Sequence, residues 1–283
     1  MVLGAGLGSR LKPFTLRIPK PLIPVLGVPC IEFALAHLKA NGVEKIVVNT
    51  HAHAAQLRHY LQSKPIPNLR LLESDEENLL LGSAGGFRKA LPLFERGPFF
   101  SMNADVIHFA DLQALVEAHA RFKRDHGVLM TLVLASEAVA RSQTGTYTEI
   151  LKKGSEGIIE GFGQKKSKVP FYTGTAVFEP EAFSHLKEGK PAEFVPEVLT
   201  PLIHAGKVAF IESEALWIDI GSPELWALAH GLLSKAFHAG TLPKESELLL
   251  RHADPTCQGQ FELGKNKIRL EDIEYEIKDI RNP

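Results

Sequence analysis

The 283 residues contain only two cysteines, Cys30 and Cys257. That excludes a disulfide framework and any cysteine-based zinc pattern. A reducing, cytoplasmic setting is the expectation. Charge of one sign is also lacking. Lys and Arg total 32, Asp and Glu total 33, and the net charge is −1. A chain so balanced offers no global field for nucleic acid, which is not expected as a partner. No apolar run is long enough to cross a bilayer and no leader is evident, so a membrane role is not expected either. Repeats and low-complexity tracts are missing. Histidine is plentiful, at 12 residues, yet "THAHAAQLRHY" is its only cluster. His51, His53 and His59 there read as a surface loop entering a helix, because no further metal ligand accompanies them.

What is present is apolar. Hydrophobic residues make up 45% of the chain, enough for a sizeable core, as one large domain or a domain plus an appendage. "MVLGA" reads as a short strand running into a glycine turn. Ile31, Ala34, Leu35 and Leu38 recur at helical spacing, and Gly42 follows as a stop. "EKIVVNT", "NLRLLES", "PFFSMNAD" and "GVLMTLVLA" read as strands. "HAAQLRHYLQS", "SAGGFRKALPLF" and "DLQALVEAHARFK" read as helices between them. This alternation predicts parallel βαβ units. The expected fold is α/β: a Rossmann-like, doubly wound, mostly parallel mixed sheet with helices on both faces.

Beyond residue 135 the texture changes. "TYTEILKK" and "GIIEGFGQK" read as strands around a "KKGSEG" turn, and "FYTGTAVFEP", "KVAFIES" and "ALWIDIG" as further strands. "EAFSHLK" and "EFVPEVLTPLIHAG" read as helical, the second broken by Pro196 and Pro201. Ser222 followed by Pro223 marks a helix start. The expected boundary falls at 238: a catalytic domain over 1–238 and a β appendage over 239–283. In the appendage Phe261, Leu263, Ile268, Leu270, Ile273, Tyr275 and Ile277 alternate with polar residues like a hairpin. An isolated hairpin is marginal in water, so these side chains need a surface. A homodimer through this segment is one expectation; a flap over an apolar patch of its own chain is the other.

"LGAGLGSRLKPFTLRIPKP", residues 3–21, combines glycines with fixed cations. Glycine lets backbone approach a ligand, and Arg and Lys complete a site for a polyanion. The familiar phosphate motifs do not fit. Gly4, Gly6 and Gly8 give G-x-G-x-G, Ser9 stands where a dinucleotide fingerprint needs its third glycine, and no Lys-Ser/Thr pair follows as in a P-loop. A glycine-rich βα turn with solvated cations is the plain alternative.

The full pattern is more specific. Residues 3–29 read L-G-A-G-x-G-x-R-L-x-P-x-T-x-x-x-P-K-P-L-x-P-V-x-G-x-P. This resembles the N-terminal motif of the sugar-1-phosphate nucleotidylyltransferases. "LLGSAGGFRKAL", "FFSMNADVI", "FYTGTAVFEPEAF" and "ALWIDIGSPELW" resemble that family's base-recognition, metal, sugar-pocket and second-metal segments. The resemblance covers about residues 2–235 and implies a reaction. A sugar 1-phosphate attacks the α-phosphorus of an NTP, with UTP or GTP the nearest fit, and pyrophosphate leaves. It further implies that backbone at Leu3, Gly4, Ala5, Gly6, Gly8 and Ser9 wraps the triphosphate. Arg10 contacts the outer phosphates and Lys20 stabilises charge near the α-phosphate. Asp105 and Asp219 hold Mg²⁺, with Mn²⁺ as substitute. Gly82, Ser83 and Glu77 face the base, and Lys165, Thr173 and Gly174 the sugar. Gln164 departs from the family's acid-lysine-proline pattern, with Lys166 or Ser167 near the proline position, and the first strand is shorter than in most members. A catalytically silent nucleotide-sugar-binding protein, or a cytidylyltransferase using Phe171, Tyr172 and Trp217 around an amino alcohol, are the alternatives.

Overall fold

A computed structural model describes residues 1–63, 66–165, 168–253, 260–262, 267–270 and 273–276. Cys257, Leu263, Ile277, Lys166 and Ser167 therefore lie outside the described residues.

The first half alternates as its apolar spacing demands. Strand β1 (Val2–Leu3) leads into a long loop that carries the short pair β2 (Pro24–Val25) and β3 (Val28–Pro29). Then come α1 (Cys30–Ala40), β4 (Lys45–Thr50), α2 (Ala54–Ser63), β5 (Arg70–Asp75), α3 (Gly82–Ala90), β6 (Phe99–Asn103) and β7 (Val106–His108). Helix α4 (Leu112–His126) starts at Asp111, whose carboxylate accepts from the Ala114 amide at 2.9 Å, and stops at Gly127 with φ +62°. The second half adds β8 (Met130–Ala135), α5 (Glu137–Ser142), β9 (Ile150–Leu151), β10 (Glu156–Ile158), β11 (Gly161–Phe162) and β12 (Tyr172–Phe178). It continues through α6 (Thr200–His204), β13 (Val208–Ser213), β14 (Trp217–Asp219), α7 (Pro223–His238), α8 (Lys244–Arg251) and the strands β15 (Gln260–Glu262), β16 (Lys267–Leu270) and β17 (Ile273–Glu276).

Among the described residues eight strands form one sheet in the order β10-β13-β8-β12-β6-β1-β4-β5. Strands β1, β4, β5 and β6 run parallel, as do β8 and β13, while β12 is antiparallel to both β6 and β8. The expected doubly wound, mostly parallel sheet is what forms. Strand alternation divides its side chains between two faces. Ile46 and Val48 pack with α1, α2 and α4, whereas Val47 packs with α3 and the 180–203 segment.

Several local expectations need correction. The two strands expected around "KKGSEG" do pair, β9 with β11, but β10 between them adds instead to the edge of the main sheet beside β13. "EAFSHLK" forms only a 3₁₀ turn over Pro180–Phe183. The helix around Pro196 and Pro201 is not broken. A wide π turn over Val195–Leu199 runs into α6, with each proline in a first turn, where a missing N–H costs little. The segment after 238 begins with α8, and among its described residues the appendage has three strands rather than two, β16 pairing with both β15 and β17.

That appendage has no core of its own among the described side chains. Leu270 is buried, and Ile273 and Tyr275 pack with it against Leu11, Phe14 and Trp226. The Tyr275 and Phe14 rings lie 6.2 Å apart, and Phe14 meets Trp226 edge-on at 4.9 Å. The tail thus covers an apolar patch of its own chain, beneath the loop that follows β1. Helix α8 docks on α1, where Glu245 reaches His37 at 3.5 Å.

Candidate active site

In an open α/β sheet the carboxyl ends of the strands face a crevice. Here the crevice holds a cavity of about 280 Å³. Leu3, Gly4, Ala5, Gly6 and Gly8 line one wall, Gly82 and Ser83 the other, with Lys20, Asp105, Asn49 and Asn103 between them. A roomier cavity of about 530 Å³ lies beside β5, but Glu73, Asp75 and Glu188 line it and would repel a polyanion.

Local geometry explains the loop's composition. Gly8 has φ +61°, and a Cβ there would sit 2.7 Å from Thr15 Cγ2. The Thr15 hydroxyl donates to the Gly8 carbonyl at 2.8 Å, which pins the bend. A Cβ on Gly6, by contrast, would meet nothing within 4 Å, so its backbone faces open space. The Gly4 amide is spent inside the fold, donating to Asn49 Oδ1 at 2.8 Å. His53 pairs with the Thr15 carbonyl at 3.1 Å and His51 with the Glu76 carbonyl at 2.8 Å, so that histidine cluster ties loops together.

The opposite wall is the turn into α3. Gly82 has φ +68°, and its Cβ would strike the Ala192 carbonyl at 2.7 Å. The Ala84 and Gly85 amides both donate to that carbonyl at 3.1 Å, and Ala192 N returns a bond to the Leu81 carbonyl at 2.8 Å. A Cβ on Gly86 would lie 2.8 Å from Glu76 Oε1 and 3.0 Å from Asn49 Nδ2. Glu76 is 1% exposed. Burial pushes its carboxyl up, against the opposing bonds from Asn49 and Leu81.

On the cavity floor the Lys20 ammonium donates to Asp105 Oδ2. Strands β7 and β14 are antiparallel, with Asp219 opposite Val106, so the two acids come from adjoining ends. Asp219 Oδ1 accepts from Gly221 N at 2.7 Å and Oδ2 from the Tyr147 hydroxyl at 3.3 Å. Burial raises the Asp219 carboxyl, and the Asp105 charge raises it further; Lys20 and Arg10 oppose. The Asp105 charge thus bears on Asp219, and Lys20 and Arg10 are the cations that face the two acids. Arg10 is exposed and lies outside the cavity, on the turn Ser9–Leu11. A Cβ on Gly221 would be 2.7 Å from its Nη2, so that glycine admits the guanidinium beside Asp219. Ser9 is exposed beside it.

Other residues named from the sequence are placed differently. Glu77 is an exposed residue, 3.5 Å from Arg58, and does not line the cavity. The Thr173 hydroxyl donates to the Val133 carbonyl at 2.7 Å, so it serves the sheet rather than an open pocket. Gly174, at φ +87°, lets Asn103 lie against β12, where a Cβ would be 2.6 Å from Asn103 Nδ2. Lys165 is exposed, its amide donating to Glu149 Oε2 at 3.2 Å. Phe171 and Trp217 are buried against Tyr147, and Tyr172 packs elsewhere with Phe194, so they form no cage for an ammonium group. Sequence reasoning missed Asn49, Asn103, Tyr147 and Glu76. The first two had a signal: each is a polar residue at or next to the end of an apolar strand, as Asp105 nearly is.

The nucleotidyl transferase family matches residues 1–235. A UTP–glucose-1-phosphate uridylyltransferase of Synechocystis sp. is 28% identical over 86% of this chain and 65% of its own length. An N-acetylmuramate alpha-1-phosphate uridylyltransferase of Caulobacter vibrioides is 31% identical over 83% of this chain and 97% of its own. The chain thus spans less than two-thirds of the first relative and nearly all of the second. The same fold occurs in a putative glucose-1-phosphate thymidylyltransferase from Bacillus anthracis, at TM-score 0.67 and 22% identity, over 82% of this chain and 93% of that one. With that match and that fold, the chain belongs to the nucleotidyl transferase family of enzymes.

Proposed function

We propose that the cleft transfers a nucleotidyl group from an NTP to a sugar 1-phosphate, giving an NDP-sugar and pyrophosphate. One observation carries the reading. A glycine-lined wall, a lysine and an acid converge on one cavity at the carboxyl ends of parallel strands. The names of the relatives supply the acceptor class, and two of them favour UTP, with GTP second.

A phosphate oxygen of the sugar phosphate forms a bond to the α-phosphorus, and the bond to the bridging oxygen of the β-phosphate breaks. No covalent nucleophile is needed, only positioning and charge. In this reading Lys20, which lines the cavity, stabilises charge near the α-phosphate, and Arg10, beside Gly221 and Asp219, serves the outer phosphates. Asp105 and Asp219 suit Mg²⁺ or Mn²⁺, which bind through one or two carboxylates plus phosphate oxygens. Bound there, the metal would neutralise charge that builds on the phosphates. Asn103, which lines the cavity and lies against Gly174, is assigned to the sugar side. The two-cysteine composition suits a reducing, cytoplasmic setting. A silent binding protein would have no chemical use for both acids, and a cytidylyltransferase for an amino alcohol would lack its cage.

Pyrophosphate release from UTP, GTP, CTP and dTTP against a panel of sugar 1-phosphates tests the reading. Turnover with UTP and at least one sugar 1-phosphate is expected. Firm NDP-sugar binding without any turnover would replace it with the silent module.

A further inference from the structure

The cavity's two walls are joined behind the ligand space by one buried chain of hydrogen bonds. The Gly4 amide donates to Asn49 Oδ1 at 2.8 Å. Asn49 Nδ2 donates to Glu76 Oε1 at 2.8 Å. The other oxygen of the same carboxylate, Oε2, accepts from the Leu81 amide at 3.0 Å. Gly4 opens the glycine loop, and Leu81 immediately precedes Gly82 and Ser83. Asn49 and Glu76 are 2% and 1% exposed, so water cannot replace these bonds cheaply.

We infer that Glu76 is a positioning residue that holds the phosphate-binding loop and the base-side turn in register, so that one NTP can engage both walls at once. The inference rests on the reading of the cleft as an NTP site. The side-chain chemistry is restrictive. The carboxylate must accept from a side-chain amide on one oxygen and a backbone amide on the other. A glutamine has one accepting oxygen and one donating nitrogen, so Glu76→Gln sets a donor against a donor at one arm. Gly86 belongs to the same device, because any side chain there would collide with both Asn49 and Glu76.

A brace of this kind has a signature that general stability lacks. A ligand touching both walls gains from their fixed spacing, as linked binding sites do. A fragment touching one wall gains nothing. The experiment compares Mg²⁺-UTP, uridine and tripolyphosphate on the full chain, by calorimetry and ligand-observed NMR. Wild type should bind UTP. In Glu76→Gln the UTP Kd should rise about tenfold or more, the loss of one buried bond to a charged group. Uridine and tripolyphosphate should each weaken by less than about threefold, since neither spans the walls. Should Glu76→Gln not fold, Asn49→Ser severs the same chain at its middle and should give the same split. Equal weakening of UTP and both fragments, or no weakening, overturns the brace and leaves the cleft's assignment standing. A wild-type chain that binds no NTP overturns the assignment itself, and the brace with it.

Discussion

Lys20 and Asp105 form a direct ion pair on the floor of the cleft, each neutralising the other before any ligand arrives. Their side chains are 12% and 24% exposed, so the pair is sheltered but reachable. A metal at Asp105 must therefore compete with the lysine for the carboxylate. Lys20→Ala should bind Mn²⁺ more tightly than wild type without nucleotide, read by electron paramagnetic resonance. It should also lower kcat more than it raises KM for NTP, since a charge near the reacting phosphorus acts mainly in the transition state. Asp105→Asn and Asp219→Asn should each cost at least about 100-fold in turnover with the fold intact by circular dichroism. Wild-type rates in either would remove the metal assignment.

Gly6 and Gly8 stand two residues apart in one loop, yet alanine should affect them differently. At Gly8 a Cβ meets Thr15 and the backbone is left-handed, so Gly8→Ala should cost about 1–3 kcal/mol in thermal or chemical unfolding. At Gly6 a Cβ meets no protein atom. Gly6→Ala should leave the melting temperature unchanged and raise the KM for NTP, because only the ligand is there to be displaced. An unchanged KM would place the phosphates elsewhere.

The tail should behave as the underside of the phosphate loop. Tyr275→Ala removes a ring packed on Phe14 and should destabilise the chain modestly, by about 1–2 kcal/mol for a half-buried aromatic. Ending the chain at 238 uncovers more, including Phe14 and Trp226, and should weaken NTP binding along with stability. Light scattering on both lengths reads the assembly state. A full-length dimer that becomes a folded monomer on truncation would support the dimer expectation.

Acid should unfold the protein through its buried imidazoles. Burial lowers His108 to about 3 and His230 to about 4, and lowers His119 as well. The unfolded chain takes up protons near 6.5, while the folded one refuses them. Stability is thus full above 6.5 and falls as pH drops, by about 1.4 kcal/mol per pH unit for each histidine, until the folded group titrates. Glu76 and Asp219, both raised, act oppositely in the carboxylate range. Urea midpoints at pH 7, 6 and 5 should decline in that order, and His230→Phe should flatten the decline.

Most of the fold was legible because periodicity reports burial. Ile46, Val47 and Val48 form a continuous apolar run since both faces of their strand are covered. The loop was legible too, because Gly8 and Gly82 answer to local backbone constraints. Glu76 was not. It sits in "ESDEEN" with other acids, and only the turn at Leu81 makes it the buried one while Glu77 points outward. The engagement of Thr173 was hidden for the same reason, since its partner Val133 lies 40 residues away in sequence. Strand β10 misled because it finds its partner in β13, over Ala209–Ile211, rather than across its own turn.

Strand β12 lies between β6 and β8, and joins them at a chain position well after both. During synthesis the half-sheet of β1, β4, β5 and β6 is complete by residue 103, with one edge of β6 open. Strand β8 follows with neither β12 nor β13 yet made. Until residue 178 leaves the ribosome, two unsatisfied strand edges wait for the same seven-residue insert. The whole lining of the cleft, from Leu3 to Asp105, is thus made first, and a nascent chain is most exposed to mispairing while that lining is finished and the strand that unites the sheet is still unmade.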